Sequence, residues 1–513
     1  MHSFVFIISL IFLSGCSSLP TNPQRPKSFA SPPSSNNRLG KELENRLGPP
    51  RPDQSAFSPL VTGQEALLAR LVSARMADRT LDIQYYIWAN DLTGLLMMDY
   101  VLQAADRGVR VRLLLDDLNQ GKHQETLAIL DTHPNIEVRM VNPFANRKAP
   151  WMDALRFSKV NKRMHNKVFI ADNLLGIVGG RNIGNEYFWA SEEFNFGDFD
   201  LWVAGPVVRD LSKEFDVYWN SEISYPIASL MPDFRALPED LDQLRQRVRA
   251  ATLDAKKTEY DKTLIETLKD HIFFAAAQPI FWSTANVVFD PPAKFNQAPS
   301  EQNGMLRHQL RPIVERTEKE MILISPYFVP EDAGMAFFKD LQKKKVRAVV
   351  LTNSLASSDV ATVFSGYKGF RKDLLNAGVG LYELKPTASA TLTKTKKHMG
   401  SSSSQSGLHG KVFIFDRQKI FVGSMNLDPR SLELNSEMGV VVHSPQLANY
   451  VAESLLKNLP DSSYKLSLTD KGDLRWEAYE KGQKFEFSKD PETSWWMRFK
   501  AGFMSLVVPT SQL

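Results

Sequence analysis

Apolar and polar residues alternate along this chain in short runs, and each run is followed by apolar residues at helical spacing. Leu67, Leu68, Leu71 and Val72 share one face of a helix expected over 65–76. Residues 80–88 (TLDIQYYIW) are β-branched, aromatic and alternating, which predicts a strand. A helix over 93–105 stops at Arg107-Gly108, and a second strand covers 109–116. A further helix (124–131) and strand (136–141) lead to Asn142-Pro143-Phe144. The same order returns downstream, with strands at 321–328, 346–353 and 380–386 and a helix at 333–343.

One short block marks the repeat. His165-Asn166-Lys167 runs to Asp172, and His409-Gly410-Lys411 runs to Asp416, both as HxKxxxxD. Gly179-Gly180-Arg181-Asn182 follows the first and Gly423-Ser424-Met425-Asn426 the second, each asparagine lying 17 residues beyond its histidine. One HxKxxxxD is a weak signal, but two with identical downstream spacing mark a duplicated functional element. Strands alternating with helices predict an α/β fold of two homologous halves. Each is expected to be a mixed, mostly parallel sheet flanked by helices, with the histidine strand and its short return (175–178; 420–422) as a hairpin.

In an extended strand alternate side chains share a face, so His165 lies beside Lys167 and His409 beside Lys411. Asn182 and Asn426 add neutral donors after glycine-containing returns. Two imidazoles, two ammonium groups and two amides suit a phosphodiester. The cations and amides bind its free oxygens, one neutral histidine attacks phosphorus, and the other protonates the leaving oxygen. A histidine nucleophile needs an acceptor on its far nitrogen, and aligning the halves sets Asp198 opposite Glu437 as candidate orienters. Asp172 and Asp416, in the catalytic set by their motif, fit a direct role or a structural one at strand ends.

Composition adds compartment and partners. A net charge of +4 over 513 residues comes without a concentrated basic stripe, so nucleic acid is not an expected partner. Basic residues do precede both histidines: Arg147, Lys148, Arg156, Lys159, Lys162 and Arg163 in one half, Lys394, Lys396 and Lys397 in the other. They fit attraction to anionic lipid or ordinary solvated charge. Cys16, the one cysteine, permits neither an internal disulfide nor a cysteine-based metal site, and no carboxylate cluster for magnesium stands out. It ends an apolar run over 4–13 that is too short to span a bilayer. Leu13-Ser14-Gly15-Cys16 resembles a bacterial lipobox, which implies cleavage before Cys16 and its acylation, although Met1-His2-Ser3 lacks a basic residue. Residues 17–58 are rich in Pro, Ser, Asn and Arg and are expected as a flexible tether reaching on the order of 35 Å. At the other end Trp495, Phe499, Phe503 and Leu506 share a helical face, expected to cover a core rather than rest on a membrane.

The paired HxKxxxxD blocks with their Gly-Gly-Arg-Asn and Gly-Ser-Met-Asn returns resemble the phospholipase D superfamily from about Gly63 to Asn458. Finer wording is similar to bacterial cardiolipin synthases of the C type: LDIQYYIW (81–88), GVRVRLLLDD (108–117), RMHNK (163–167), TNSLA (352–356) and LYELKP (381–386). The resemblance implies one active site between the halves and a phosphohistidine intermediate, with no cofactor or metal. It implies transfer of a phosphatidyl group, with phosphatidylglycerol and phosphatidylethanolamine as candidate substrates. It makes His165 the nucleophile and His409 the general acid and base, an order that the near-symmetry of the halves leaves open.

The expected divisions are 1–15 signal peptide, 16–58 lipidated Cys16 and tether, 59–290 first half with extension, 291–470 second half, and 471–513 tail with an amphipathic helix. Hydrolysis by the same chemistry is the alternative to transfer. A non-catalytic lipoprotein on a decayed fold would have lost part of the set, yet both copies are complete. The anchor implies the periplasmic side of a bacterial envelope. Ser17, where an aspartate would favour inner-membrane retention, tilts this toward the outer membrane.

Overall fold

The computed structural model describes residues 19–507 except 22, 122, 148–151, 154–155, 256–278, 299–303, 388–404 and 481. Cys16 therefore lies outside the described residues, as do Lys148, Lys394, Lys396 and Lys397.

Two large mixed sheets carry the fold. The first contains β1 (Ser55–Leu60), β2 (Thr80–Tyr85), β3 (Arg110–Asp116), β4 (Ile136–Val141), β5 (Val168–Ala171), β6 (Leu175–Gly179), β8 (Asp200–Ala204), β9 (Ser224–Pro226) and β10 (Phe281–Ser283). Its order is β10-β1-β8-β6-β5-β2-β3-β4-β9. The second contains β11 (Ala285–Phe289), β12 (Glu320–Ile324), β13 (Arg347–Asn353), β14 (Gly380–Leu384), β16 (Val412–Phe415), β17 (Lys419–Gly423), β18 (Met438–Val442), β19 (Ser463–Leu468), β20 (Leu474–Glu480) and β21 (Gln483–Phe487). Its order is β11-β18-β17-β16-β12-β13-β14-β19-β20-β21. The run β8-β6-β5-β2-β3-β4-β9 thus has a strand-for-strand counterpart in β18-β17-β16-β12-β13-β14-β19, and the expected hairpins β5–β6 and β16–β17 are antiparallel pairs.

Parallel pairing is narrower than expected. It is confined within these sheets to β2–β3–β4 and β12–β13–β14, where helices such as Leu92–Asp106 and Glu331–Lys343 supply the crossovers. The hairpins β5–β6 and β16–β17 return by short turns, which permit only antiparallel neighbours, and the strands on either side of them pair antiparallel as well, across longer connections.

The halves share a core. Val168, Ile170, Val178 and Leu201 from one sheet and Ile322, Val412, Ile414 and Val440 from the other join one apolar cluster, together with side chains of the helices Val207–Trp219 and Pro445–Ser462. Separate clusters form under the other face of each sheet. Crossover between halves falls at Thr284, between β10 and β11, rather than near 290, and the second sheet continues to Phe487, past the expected boundary at 470.

The N-terminal segment corrects a second expectation. Residues expected as a free tether lie against the first half and include a helix (Arg38–Leu47) and β1, which enters the sheet between β10 and β8. Guanidinium groups hold its backbone where apolar side chains are scarce. Arg139 donates to Pro26 O, Arg112 to Ser28 O, Arg110 to Phe29 O and Arg79 to Pro32 O. Low hydrophobicity predicts disorder only when nothing else satisfies the backbone.

Asp172 and Asp416 are corrected too, from the catalytic set to the architecture. Asp172 and Asn173 have φ of 53° and 54°, and Asp416 and Arg417 have 51° and 54°, as the central pair of a type I′ turn requires, here closed by Leu174 N–H to Ala171 O and Gln418 N–H to Phe415 O. The Asp172 carboxylate accepts the backbone N–H groups of Asp78, Arg79 and Thr80 at 2.8–3.0 Å and the Asn37 amide at 2.6 Å. Asp416 likewise takes the N–H groups of Glu318, Lys319 and Glu320. Each aspartate closes its turn and satisfies the entry to the adjacent strand. Asp172→Ala is expected to cost about 2–4 kcal/mol, since buried donors lose a charged acceptor. The check is a lowered unfolding midpoint with turnover per folded molecule unchanged within about threefold. A collapse of turnover in fully folded protein would restore the direct role.

Candidate active site

Each histidine reaches its position by pairing with the other half. β7 (Phe194–Gly197) runs parallel to β15 (Gln405–Leu408), and the His409 and Gly410 N–H groups both donate to Gly197 O. Asp198, the next residue, accepts His409 Nδ1 at 2.5 Å. On the other side Met164 bridges Ser436 in parallel, His165 N–H donates to Ser436 O at 2.9 Å, and Glu437 meets His165 Nδ1 at 2.9 Å. The two orienting carboxylates thus act across the halves, Asp198 on His409 and Glu437 on His165. Their positions after the returns predicted the acids, but not this exchange.

Lys167 Nζ donates to His165 O at 2.6 Å and Lys411 Nζ to His409 O. All four side chains are buried. Burial, then the charges of Lys167 and Lys411, push the His165 imidazole well below its ordinary value. Burial and Lys411 bring His409 down to about 4, with Asp198 opposing and Lys167 adding a smaller push. Both ammonium groups bear on both rings, so the two motifs form one electrostatic site. Burial also lowers the lysines, Lys411 to about 8 and Lys167 well below the usual range, with Glu437 and Asp198 opposing in both.

The carboxylates differ for reasons visible in the repeat. Gly180 leaves room for Asp198, since a Cβ there would lie 2.2 Å from Asp198 Oδ1. Ser424 occupies the equivalent place and its hydroxyl donates to the longer Glu437, which also accepts Ser431 Oγ at 2.8 Å. Arg181, buried, donates to Asp198 O; Met425 stands in its place in the other copy. Burial pushes Asp198 up, but His409, Lys411 and Arg181 outweigh it and hold the carboxyl well below its normal range. Glu437, which lacks a local guanidinium of this kind, is pushed up by burial to about 7, Lys167 and the two serines opposing.

Asn182 Oδ1 accepts Ile87 N–H at 3.2 Å and borders Tyr187. Asn426 backbone N–H donates to Ser431 Oγ, and its side-chain Oδ1 is buried without a partner. Aromatic rings close the site. Tyr86 packs edge-on to His165 with ring centroids 5.1 Å apart, while the centroids of Tyr187 and Phe196 lie 5.1 and 4.9 Å from that of His409. Ser424, Ser431, Arg181, Tyr86 and Tyr187 were missed as site residues. The signal for three of them was the mismatch at 180/424 and 181/425 within an otherwise matching repeat and the serine following it.

Several basic residues before His165 prove internal. Arg147 pairs with Asp117, Arg156 with Asp153 and Arg163 with Asp116, while Lys162 Nζ donates to the carbonyls of Lys294 and Gln297. Asp116 also accepts Met164 N–H at 2.8 Å, so this network sets the approach to His165 rather than an anion-binding surface.

The family model for the cardiolipin synthase, phospholipase D-like domain matches residues 67–219 and 310–458. Cardiolipin synthase C of Escherichia coli (strain K12) is 37% identical over 460 residues, 89% of this chain and 96% of its own. Cardiolipin synthase 2 of Bacillus cereus is 24% identical over 80% of this chain and 66% of its own. Among solved structures, a phosphatidylserine synthase from Haemophilus influenzae Rd KW20 superposes with a TM-score of 0.53 at 14% identity, over 80% of this chain and 87% of that one, a likeness of fold.

Proposed function

The chain belongs to the cardiolipin synthase, phospholipase D-like family and is a phospholipase D-type phosphatidyltransferase, and from this premise we propose that it makes cardiolipin through a phosphohistidine on His165. The observation that carries the assignment of roles is the unequal pair of carboxylates. Asp198, firmly ionised, favours an imidazolium on His409 once a phosphodiester anion lies between the rings. His165, backed by a carboxyl near 7, stays neutral with Nε2 free to attack.

In the first step His165 Nε2 bonds to phosphorus of a donor such as phosphatidylglycerol or phosphatidylethanolamine. The bond from phosphorus to the head-group alcohol breaks, and His409 gives that oxygen its proton. In the second, His409 takes the proton from a terminal glycerol hydroxyl of phosphatidylglycerol. The alkoxide attacks phosphorus, the P–N bond breaks, and cardiolipin leaves with His165 neutral and His409 protonated again, as at the start. Lys167, Lys411, Asn182 and Asn426 would balance charge on the free oxygens. Tyr86, Tyr187 and Phe196 support transfer over hydrolysis by narrowing access for water to the rings. On the same reading acylated Cys16 anchors the chain on the periplasmic side of the envelope, the outer membrane favoured.

Purified protein given phosphatidylglycerol labelled in its phosphate, with and without phosphatidylethanolamine, is expected to yield labelled cardiolipin. Phosphatidic acid alone would make the chain a hydrolase, and cleaved DNA with intact lipid would overturn both lipid readings.

A further inference from the structure

The helix Trp495–Val507 does not bury the aromatic face its sequence presents. Trp495 is 67% exposed, Trp496 61%, Phe499 49% and Phe503 58%, whereas Ala501 is fully buried. Ala501 marks the seated side, against the helix Ala361–Lys368. Outside it the rings form a plate, Phe499 stacking on Trp495 at 5.3 Å and on Trp496 at 5.5 Å. The expected core-covering role is therefore reversed for these side chains.

We propose that this helix is a membrane contact separate from the anchor at Cys16, lying in the headgroup layer of a phospholipid bilayer with its aromatic plate turned inward. Three observations favour a bilayer over a second copy of the chain. Tryptophan and phenylalanine beside basic residues is the composition of interfacial helices, whose rings prefer the boundary between headgroup and acyl chain. The helix has Arg498 and Lys500 and no acidic residue, which suits an anionic lipid surface and would set like charges together across a two-fold interface. Its seat is also connected to the active site. The segment before Ala361–Lys368 includes Asn353, whose amide brackets Leu408 N–H and O immediately before His409. It also includes Asp359, which accepts the hydroxyl of Tyr327. A bilayer under the helix would lie along the flank of the wall that holds His409. The inference rests on the lipid-substrate reading for its purpose, but its test reads binding independently of turnover.

Full-length protein is reconstituted with vesicles of equal phosphatidylglycerol and phosphatidylethanolamine carrying brominated acyl chains, and tryptophan emission is compared with unbrominated vesicles. The expected result is quenching that falls by about half in the conservative variant Trp495→Phe/Trp496→Phe, because indoles at the interface lie within reach of the bromines. Lys500→Gln should weaken the quenching at limiting lipid by about fivefold, one basic contact's worth of surface attraction. Trp495→Ser/Trp496→Ser/Phe499→Ser should lose at least about tenfold in rate on vesicle lipid while keeping its rate on a dispersed short-chain phosphatidylglycerol. Equal quenching in wild type and the Phe variant would overturn the proposal. So would a dimer that the Ser variant converts to monomer with quenching by the remaining indoles unchanged. Quenching as expected without cardiolipin formation would keep the membrane contact and sink the transferase reading alone.

Discussion

His165→Ala is expected to lower phosphatidyl transfer by about 10⁴-fold or more and to leave no covalent phosphoenzyme, because the nucleophile and its paired base act as a unit. His409→Ala should fall as far with a natural donor, whose leaving alcohol needs a proton. With a nitrophenyl phosphodiester, whose leaving group departs without a proton, His409→Ala should form labelled enzyme at close to the wild-type rate and then stall. Stalling follows because no base remains to deprotonate the acceptor hydroxyl. The label should be acid-labile and stable to alkali, as a phosphoramidate is. Label on His165→Ala and none on His409→Ala would exchange the two roles. That outcome would mean that the more firmly ionised carboxylate supports the nucleophile, against the charge argument drawn from Arg181 and Met425.

Glu437→Gln is expected to cost about 10³- to 10⁴-fold, comparable to the loss when a catalytic histidine keeps its place but loses its ionised acceptor. A pH profile separates this from simple damage. The Glu437 carboxyl is raised to about 7 by burial, so it is ionised above that value and protonated below it. Only the carboxylate accepts the His165 N–H, so kcat/KM of the wild type should fall as pH drops through about 7. His165 itself is held well below its ordinary value and takes up a proton only at lower pH. In Glu437→Gln the limb near 7 should be absent and the residual rate flat there. Asp198→Asn should lose as much rate but keep that limb, since Asp198 is ionised throughout. A limb near 7 persisting in Glu437→Gln would show that another group titrates.

Much of the fold was legible because its signals are local. The strand patterns at 80–88 and 109–116 and the helical stripe at 65–76 depend on near neighbours, and the structure places β2 (ending at Tyr85), β3 and the helix Gly63–Met76 there. The N-terminal segment escaped because its order depends on four arginines that lie far along the chain, on strands or near them, and whose targets are backbone carbonyls. Composition registers such a segment as polar and unattached. The aromatic face of Trp495–Val507 misled in the opposite direction, since amphipathic spacing is the same whether the apolar side meets a core or a bilayer.

By itself the sequence determined the duplication, the inventory of two histidines, two lysines, two amides and two acids, and their order in each copy, because these are facts of spacing along one chain. Only the tertiary structure decided which acid serves which histidine. That depends on β7 lying beside β15 and Met164 beside Ser436, pairings between segments roughly 210 and 270 residues apart whose register no local pattern encodes. It also decided the fate of the motif aspartates, since a carboxylate seven residues from a histidine can reach it or turn away. Here a hairpin turn with positive φ sends both to the far end of the strand.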